Sequence, residues 1–456
     1  MVENVIIMGA AGRDFHNFIC CFRDNSHYRV IGFTATQIPK IAGRLFPFAL
    51  AGRLYPDGIP IFPEEQLPEL IRQHRIDLVV FSYSDVSYMD VMHRAAIVGA
   101  AGANFILLAP HRTMIRARRP VVAVCGVRTG CGKSQTTRKV CEIISVYNRK
   151  VVVVRHPMPY GDLQEMAVQR FGSKEDFTTC HCTIEELEEY EPLVEQGIIV
   201  YAGVDYSRIL QEAEAEADVV VWDGGNNDTP FFRPDIHIVL FDPLRPGHEL
   251  SYYPGETNMR LADIAVINKI GSASPENIAR VRQNIELHAQ AADIVLADSH
   301  LLIKEPGRIR GKRVLVVEDG PTLTHGGMAS GAGMLAAQQH GAATVVDPRP
   351  FAVGSMAATF RDYPHIGPVL PAMGYSEEQI HELAETINRT VCDLILLATP
   401  IHLARLMEIR RPYIRIRYEY CDHGEPLLAD ILSRRFRELH ITKGPQRDAS
   451  DRRSSS

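Results

Sequence analysis

Short apolar runs alternate with amphipathic stretches along most of the chain, the pattern of buried strands followed by covering helices. Residues 4–8 read as a strand, Gly9-Ala10-Ala11-Gly12 as a tight turn, 14–23 as a helix and 29–34 as the next strand, a βαβ unit. Runs at 77–82 and 103–108, with a helical pattern at 88–98 between them, extend it to a small Rossmann-like sheet assigned to residues 1–118. From Pro120 the rhythm restarts, with strands at 121–125, 151–154, 198–201, 219–222, 236–241, 264–267 and 294–297. Such runs, separated by helical patterns, imply a parallel sheet covered on both faces, with ligands at the carboxyl ends of its strands. That domain is assigned to 119–310. A further α/β region, 311–440, takes strands at 314–317, 344–347 and 394–398 and closes on the alternating Tyr413-Ile414-Arg415-Ile416-Arg417-Tyr418, read as an edge strand. Residues 441–456, rich in Ser, Arg and Asp, read as a disordered tail.

Composition narrows the partners. A net charge of -6 over 456 residues is too small and too acidic for a polyanion-binding surface, so neither nucleic acid nor a membrane is expected. The 46% hydrophobic content supplies a core for each domain, and no apolar run approaches the length of a membrane span. Nine cysteines, an odd number, and a start that runs straight into a strand point to a reducing cytoplasm.

The strongest chemical signal is Gly126-Val127-Arg128-Thr129-Gly130-Cys131-Gly132-Lys133-Ser134, after a predicted strand and at the start of a predicted helix. In that context it is a P-loop: backbone amides and the helix amino end cradle phosphates, Lys133 reaches the β- and γ-phosphates, and the Ser134 hydroxyl ligates magnesium, with Gln135 following. The fold class is therefore α/β, a Rossmann-like N-terminal domain followed by a P-loop parallel-sheet domain and a C-terminal α/β region that could share the substrate site. Gly9 and Gly12 make only half of a dinucleotide fingerprint, since Ile7 stands where a third glycine is needed. The N-terminal turn is read as structural, with cofactor binding as the alternative.

Five residues, not four, separate Gly126 from Gly132, a spacing that resembles the P-loops of dethiobiotin synthetase and cobyrinic acid synthases. In that group a distant strand ends in an acidic residue followed by glycines. Trp222-Asp223-Gly224-Gly225-Asn226-Asn227-Asp228 matches it and makes Asp223 the second magnesium-associated residue. Asn268-Lys269 stands where those relatives recognise the base, and Gly271 replaces the Asp of a guanine reader, which favours ATP over GTP. Glu318-Asp319-Gly320-Pro321-Thr322-Leu323-Thr324-His325-Gly326 follows another strand and offers either a second anion site or a structural turn. Arg155-His156-Pro157 and Arg245-Pro246-Gly247-His248 add cations at strand ends. The acidic run from Glu185 to Glu195 reads as a solvated face, with a lid over the magnesium as the alternative. Cys180-His181-Cys182 and Cys421-Asp422-His423 lack structural-zinc spacing and would hold zinc only if they met in space.

Taken together, these motifs resemble the cyclic 2,3-diphosphoglycerate synthetase family over roughly residues 1–440. The resemblance implies ATP-dependent closure of an intramolecular phosphoanhydride in 2,3-bisphosphoglycerate, with release of ADP and phosphate. It implies Lys133, Asp223, Arg155 and His325 as the catalytic set, and Arg128, Arg155, His156, Arg245 and His325 as cations that neutralise an anionic, phosphorylated substrate. A homodimer is expected from the same group. The alternative is a nucleotide-switched binding or maturation protein that phosphorylates nothing.

Overall fold

The computed structural model describes residues 2–10, 12–35, 43–156, 161–373, 376–400 and 402–441, without the side chains of 184 and 185. Ala11 of the first turn, Pro157 and the expected tail from 442 onward lie outside the described residues, whereas Ile441 is buried in the core.

The N-terminal strands are β1 (Glu3–Met8), β2 (Tyr28–Ala35), β3 (Leu45–Phe46), β4 (Ile59–Pro63), β5 (Leu78–Phe81), β6 (Val86–Ser87) and β7 (Asn104–Leu107). Six of them form one sheet in the order β3-β4-β2-β1-β5-β7, parallel except for the β3·β4 pair. The rest of the chain supplies β8 (Val121–Gly126), β9 (Val151–Arg155), β10 (Gln169–Phe171), β11 (Ile199–Ala202), β12 (Val219–Asp223), β13 (Ile236–Phe241), β14 (Tyr252–Tyr253), β15 (Ile264–Ile267), β16 (Asp293–Ile303), β17 (Arg313–Asp319), β18 (Thr344–Val345), β19 (Leu370–Ala372), β20 (Leu394–Ala398) and β21 (Tyr413–Asp422). All but β14, which pairs with β6, enter a second sheet of order β10-β11-β9-β12-β8-β13-β15-β16-β21-β20-β17-β18, with β19 beside β17. Its centre, β8, β12, β13 and β15, is wholly buried, which explains why those strands read as unbroken apolar runs.

That sheet is two parallel halves joined head to head. From β11 to β16 every pair is parallel, and from β21 to β18 likewise, while β16 and β21 run antiparallel. Only the first part of β16 pairs with β15, Ile267 facing Leu296, and its remainder, Ala297 to Ile303, pairs with β21. Similarly, β21 pairs with β20 only as far as Arg415. The two long strands thus project beyond the carboxyl edges of their own halves and clasp each other, so those two edges face one another. Ligand-binding loops of both halves are delivered to a single cleft.

The expected edge strand at Tyr413–Tyr418 is corrected here, because β21 lies inside the sheet between β20 and β16. Its alternation has another cause. One face, with Ile414, Ile416 and Tyr420, is buried and the other, with Arg417, Glu419 and Cys421, is exposed; helices Lys133–Val146 and Ala332–Gln339 pack against the strand, and Tyr418 lines the cleft. No helix among the described residues is long and apolar enough to cross a membrane.

Candidate active site

The P-loop leaves the end of β8 and enters helix Lys133–Val146 through Gly132, whose φ of +105° is one that side-chain-bearing residues rarely adopt. Any Cβ there would also strike the Asn268 and Gln135 amides. Gly130, at φ +80°, faces Thr322, and a Cβ would come within 3.3 Å of its methyl carbon. The helix has no side-chain cap at its amino end, so its first amides are available to an anion. Inside the loop, the Cys131 thiol donates to the Arg128 carbonyl at 2.8 Å, and Gly126 is buried against Cys131.

Lys133, Ser134 and Gln135 line a cavity of about 690 Å³ that runs from the P-loop to the loops of the opposite half-sheet. Asp223 ends β12 in register with Val124 of β8, which sets it beside the P-loop. One of its oxygens meets Arg155, and the other, Oδ1, is buried without a hydrogen-bond partner. An orphaned carboxylate oxygen at the end of the strand beside β8 is chemically suited to magnesium. The described residues hold no group of three His, Cys, Asp or Glu able to bind a metal, at Asp223 or at the two Cys-His clusters.

Several candidate residues turn out to hold the site together. Arg128 is buried, with its Nε 2.7 Å from Asp85, its guanidinium 3.6 Å over the Tyr252 ring and Nη1 2.5 Å from His248 Nδ1. Arg245 donates to Asp242 and the Thr129 carbonyl, at 2.8 and 2.7 Å, and to the Gly326 carbonyl. Arg155 lies between Asp223 and Glu189. The three arginines expected to neutralise a polyanionic substrate are therefore already paired, because each is buried and an uncompensated cation would not remain there. Asn268 is likewise wholly buried, donating from Nδ2 to the Cys131 carbonyl at 2.9 Å and to Ser299 Oγ at 3.3 Å, which braces the P-loop. Lys269 lines the cavity with its ammonium 2.9 Å from Asp242.

Two further expectations change. The helix Ile184–Val194 is not a simple solvated face: Glu186 and Glu188 are buried, and Glu188 and Glu189 line the cavity. The glycine-rich stretch after β17 is no free anion site, since Glu318 accepts hydrogen bonds from the amides of Gly331, Gly333 and Met334 at 3.0, 3.2 and 2.9 Å. The protein's own carboxylate fills that helix end. Burial pushes Glu318 up to about 7 despite those amides, and it raises Asp319 as well. Asp319 caps the turn that follows, and this turn sets Thr322 against Gly130. His325 also lines the cavity, where burial lowers its pKa and favours the neutral ring.

At the first turn of the chain, Asp14 takes the amides of Gly12 and Phe15, at 3.1 and 2.7 Å, and the His156 ring packs on Gly12. The half-fingerprint thus holds a side chain where a cofactor phosphate would go. The residues missed in the sequence are Asp85, Asp298, Ser299 and Tyr418, all at the cavity wall. None of them carried a sequence signal, and Tyr418 falls on the same face of its strand as the apolar Ile414 and Ile416.

No family model matches the chain. It is 56% identical over 430 residues, 94% of this chain and 96% of the relative, to a protein of Thermococcus kodakarensis named arginine synthetase ArcE. Among solved structures it is similar to LpxK of Aquifex aeolicus in complex with ATP, at 11% identity and a TM-score of 0.40 over 71% of this chain and 90% of that one. It is also similar to a murein peptide ligase of Neisseria meningitides, at 10% identity and a TM-score of 0.27 over 66% and 81%.

Proposed function

Because the chain belongs to the family of the arginine synthetase ArcE, we propose that it is an ATP-dependent synthetase that builds a guanidinium from ammonia and an amino acid ending in a urea group. The observation that carries this reading is one cavity lined by the P-loop and by Glu188, Glu318 and Asp319. Phosphoryl activation makes a bond at a carbon that bears oxygen, and in arginine the corresponding bond is a guanidinium C–N. Lys133 and the amides of helix Lys133–Val146 would hold the triphosphate. Ser134 and Asp223 would hold magnesium, which when bound offsets phosphate charge.

The urea oxygen attacks the γ-phosphorus and ADP leaves. Ammonia then attacks the same carbon, the C–O bond breaks and inorganic phosphate departs with the oxygen. Ammonium must lose a proton before it can attack, and Glu318, with a pKa of about 7, is a cavity group able to hold it near neutral pH. The product is cationic, which suits an acidic wall.

Cyclisation of 2,3-bisphosphoglycerate, the reaction implied by the sequence resemblance, shares the first step and the release of phosphate. Its substrate carries two phosphates, and Arg128, Arg155 and Arg245 each already have a carboxylate partner. The wall charge favours the nitrogen acceptor.

The test is to incubate the protein with magnesium-ATP, ammonium and a urea-terminated amino acid, following phosphorus by NMR and arginine by amino-acid analysis, with Lys133→Ala as control. Arginine and phosphate that appear only in the full mixture, and not in the control, are expected. New phosphoanhydride resonances with 2,3-bisphosphoglycerate instead would return the cyclising reaction. Slow hydrolysis indifferent to either acceptor would leave a nucleotide switch.

A further inference from the structure

The residue that the sequence offers for reading the base, Asn268, is wholly buried and does not line the cavity, and its amide nitrogen is engaged by Cys131 and Ser299. The groups that do line this end include Lys269, Ser272, Asp298 and Ser299. Asp298 stands on the projecting part of β16, two residues beyond the Ile267–Leu296 pair that ends the β15 ladder. Its Oδ1 accepts the Ser299 amide at 2.8 Å, which fixes the carboxylate. Its Oδ2 lies over Gly271, so close that a side chain at 271 would overlap it. Gly271, whose lack of a carboxylate argued against a guanine reader, thus leaves room for the carboxylate of another strand beside it. Beside it, the Lys269 ammonium is held by Asp242 at 2.9 Å, leaving the methylene stem at the cavity wall.

We propose that Asp298 reads the nucleobase, accepting a hydrogen bond from the exocyclic amino group of adenine while the Lys269 stem packs on the ring. This rests on the P-loop as the nucleotide site and is independent of the acceptor. A carboxylate only accepts, so the base edge must offer a donor. Adenine does so with its six-amino group, whereas hypoxanthine carries an oxygen at that position and has its nearest donor, N1–H, one atom further round the ring, so the bond at the six-position is lost.

The test is the dissociation constant of ATP and of inosine triphosphate, by calorimetry, for the wild-type protein, Asp298→Ala, Asp298→Asn and Asn268→Ala. The wild type should prefer ATP by about tenfold or more, the value of one hydrogen bond to a charged group. Asp298→Ala should bring the ratio close to one by weakening ATP. Asp298→Asn, similar in shape but able to donate, should move it toward inosine triphosphate. A wild type that prefers inosine triphosphate, an unchanged ratio in both Asp298 variants, or a ratio that collapses only in Asn268→Ala overturns the assignment. If neither nucleotide binds the wild type, the P-loop reading falls and this one with it.

Discussion

The carboxylate of Asp85, from the loop after β5, lies 2.7 Å from Arg128 Nε in the P-loop and takes the Thr129 amide on its other oxygen at 3.3 Å. Asp85 itself has a φ of +59°, uncommon without glycine, and its amide is held by Asn227 Oδ1 at 2.7 Å. The N-terminal sheet therefore pins the nucleotide loop from outside the P-loop half-sheet.

Asp85→Ala should leave Arg128 buried without its carboxylate, at a cost of about 3 kcal/mol in unfolding free energy. ATP should also bind more weakly as the loop loosens. Chemical denaturation and nucleotide titration read the two effects separately. Lost stability with unchanged affinity would make the pin purely architectural.

Asn268→Ala removes the donor to the Cys131 carbonyl and frees one side of the loop. ATP and inosine triphosphate should weaken together, each by roughly fivefold to tenfold, the worth of one buried hydrogen bond. A change in their ratio would return the base-reading role to this residue.

How much of this was legible depended on how local each signal was. The placement of the P-loop turn and of Asp223 at the ends of adjacent strands could be read because a motif and its flanking strand are adjacent in sequence. The pairing of Arg128 with Asp85, and the packing of Thr322 on Gly130, depend on contacts between distant segments that composition does not mark. Residues such as Asn268 and Arg155 were legible in place but not in duty. A side chain able to bind a ligand is equally able to satisfy a buried neighbour. The alternation of β21 suggested an edge because it reports a strand with one exposed face, and that is equally true of an inner strand whose two edges are both paired.

Asp242 gives a pH-dependent prediction. Despite burial, Lys269 and Arg245 hold its pKa down to about 2, below its ordinary 3.8. With the folded value depressed, the stabilisation is complete above the ordinary value and disappears as pH falls toward 2. Asp242→Asn should cost about 3 kcal/mol at neutral pH. The gap from wild type, followed by urea denaturation, should narrow between pH 4 and 2, and a gap constant with pH would refute the ion pair as its source.

Glu318 should govern the nucleophile. The ionisable groups that face it are Asp319 and the Tyr418 phenol. Turnover with ammonium should fall as pH drops through about 7, where the carboxylate becomes protonated. Hydroxylamine, already unprotonated at neutral pH, should lack that limb. Glu318→Gln should slow the ammonium reaction by about a hundredfold and spare the hydroxylamine reaction. Equal losses with both would reduce Glu318 to a helix cap.

The clasp between β16 and β21 also bears on how the chain is made. Ala297 pairs with Asp422, so the P-loop half cannot close its last ladder until residues more than a hundred positions later, up to Asp422, have left the ribosome. Until then the free edge of β16 is open to the wrong neighbour, which makes the late arrival of one strand a point of vulnerability during biosynthesis.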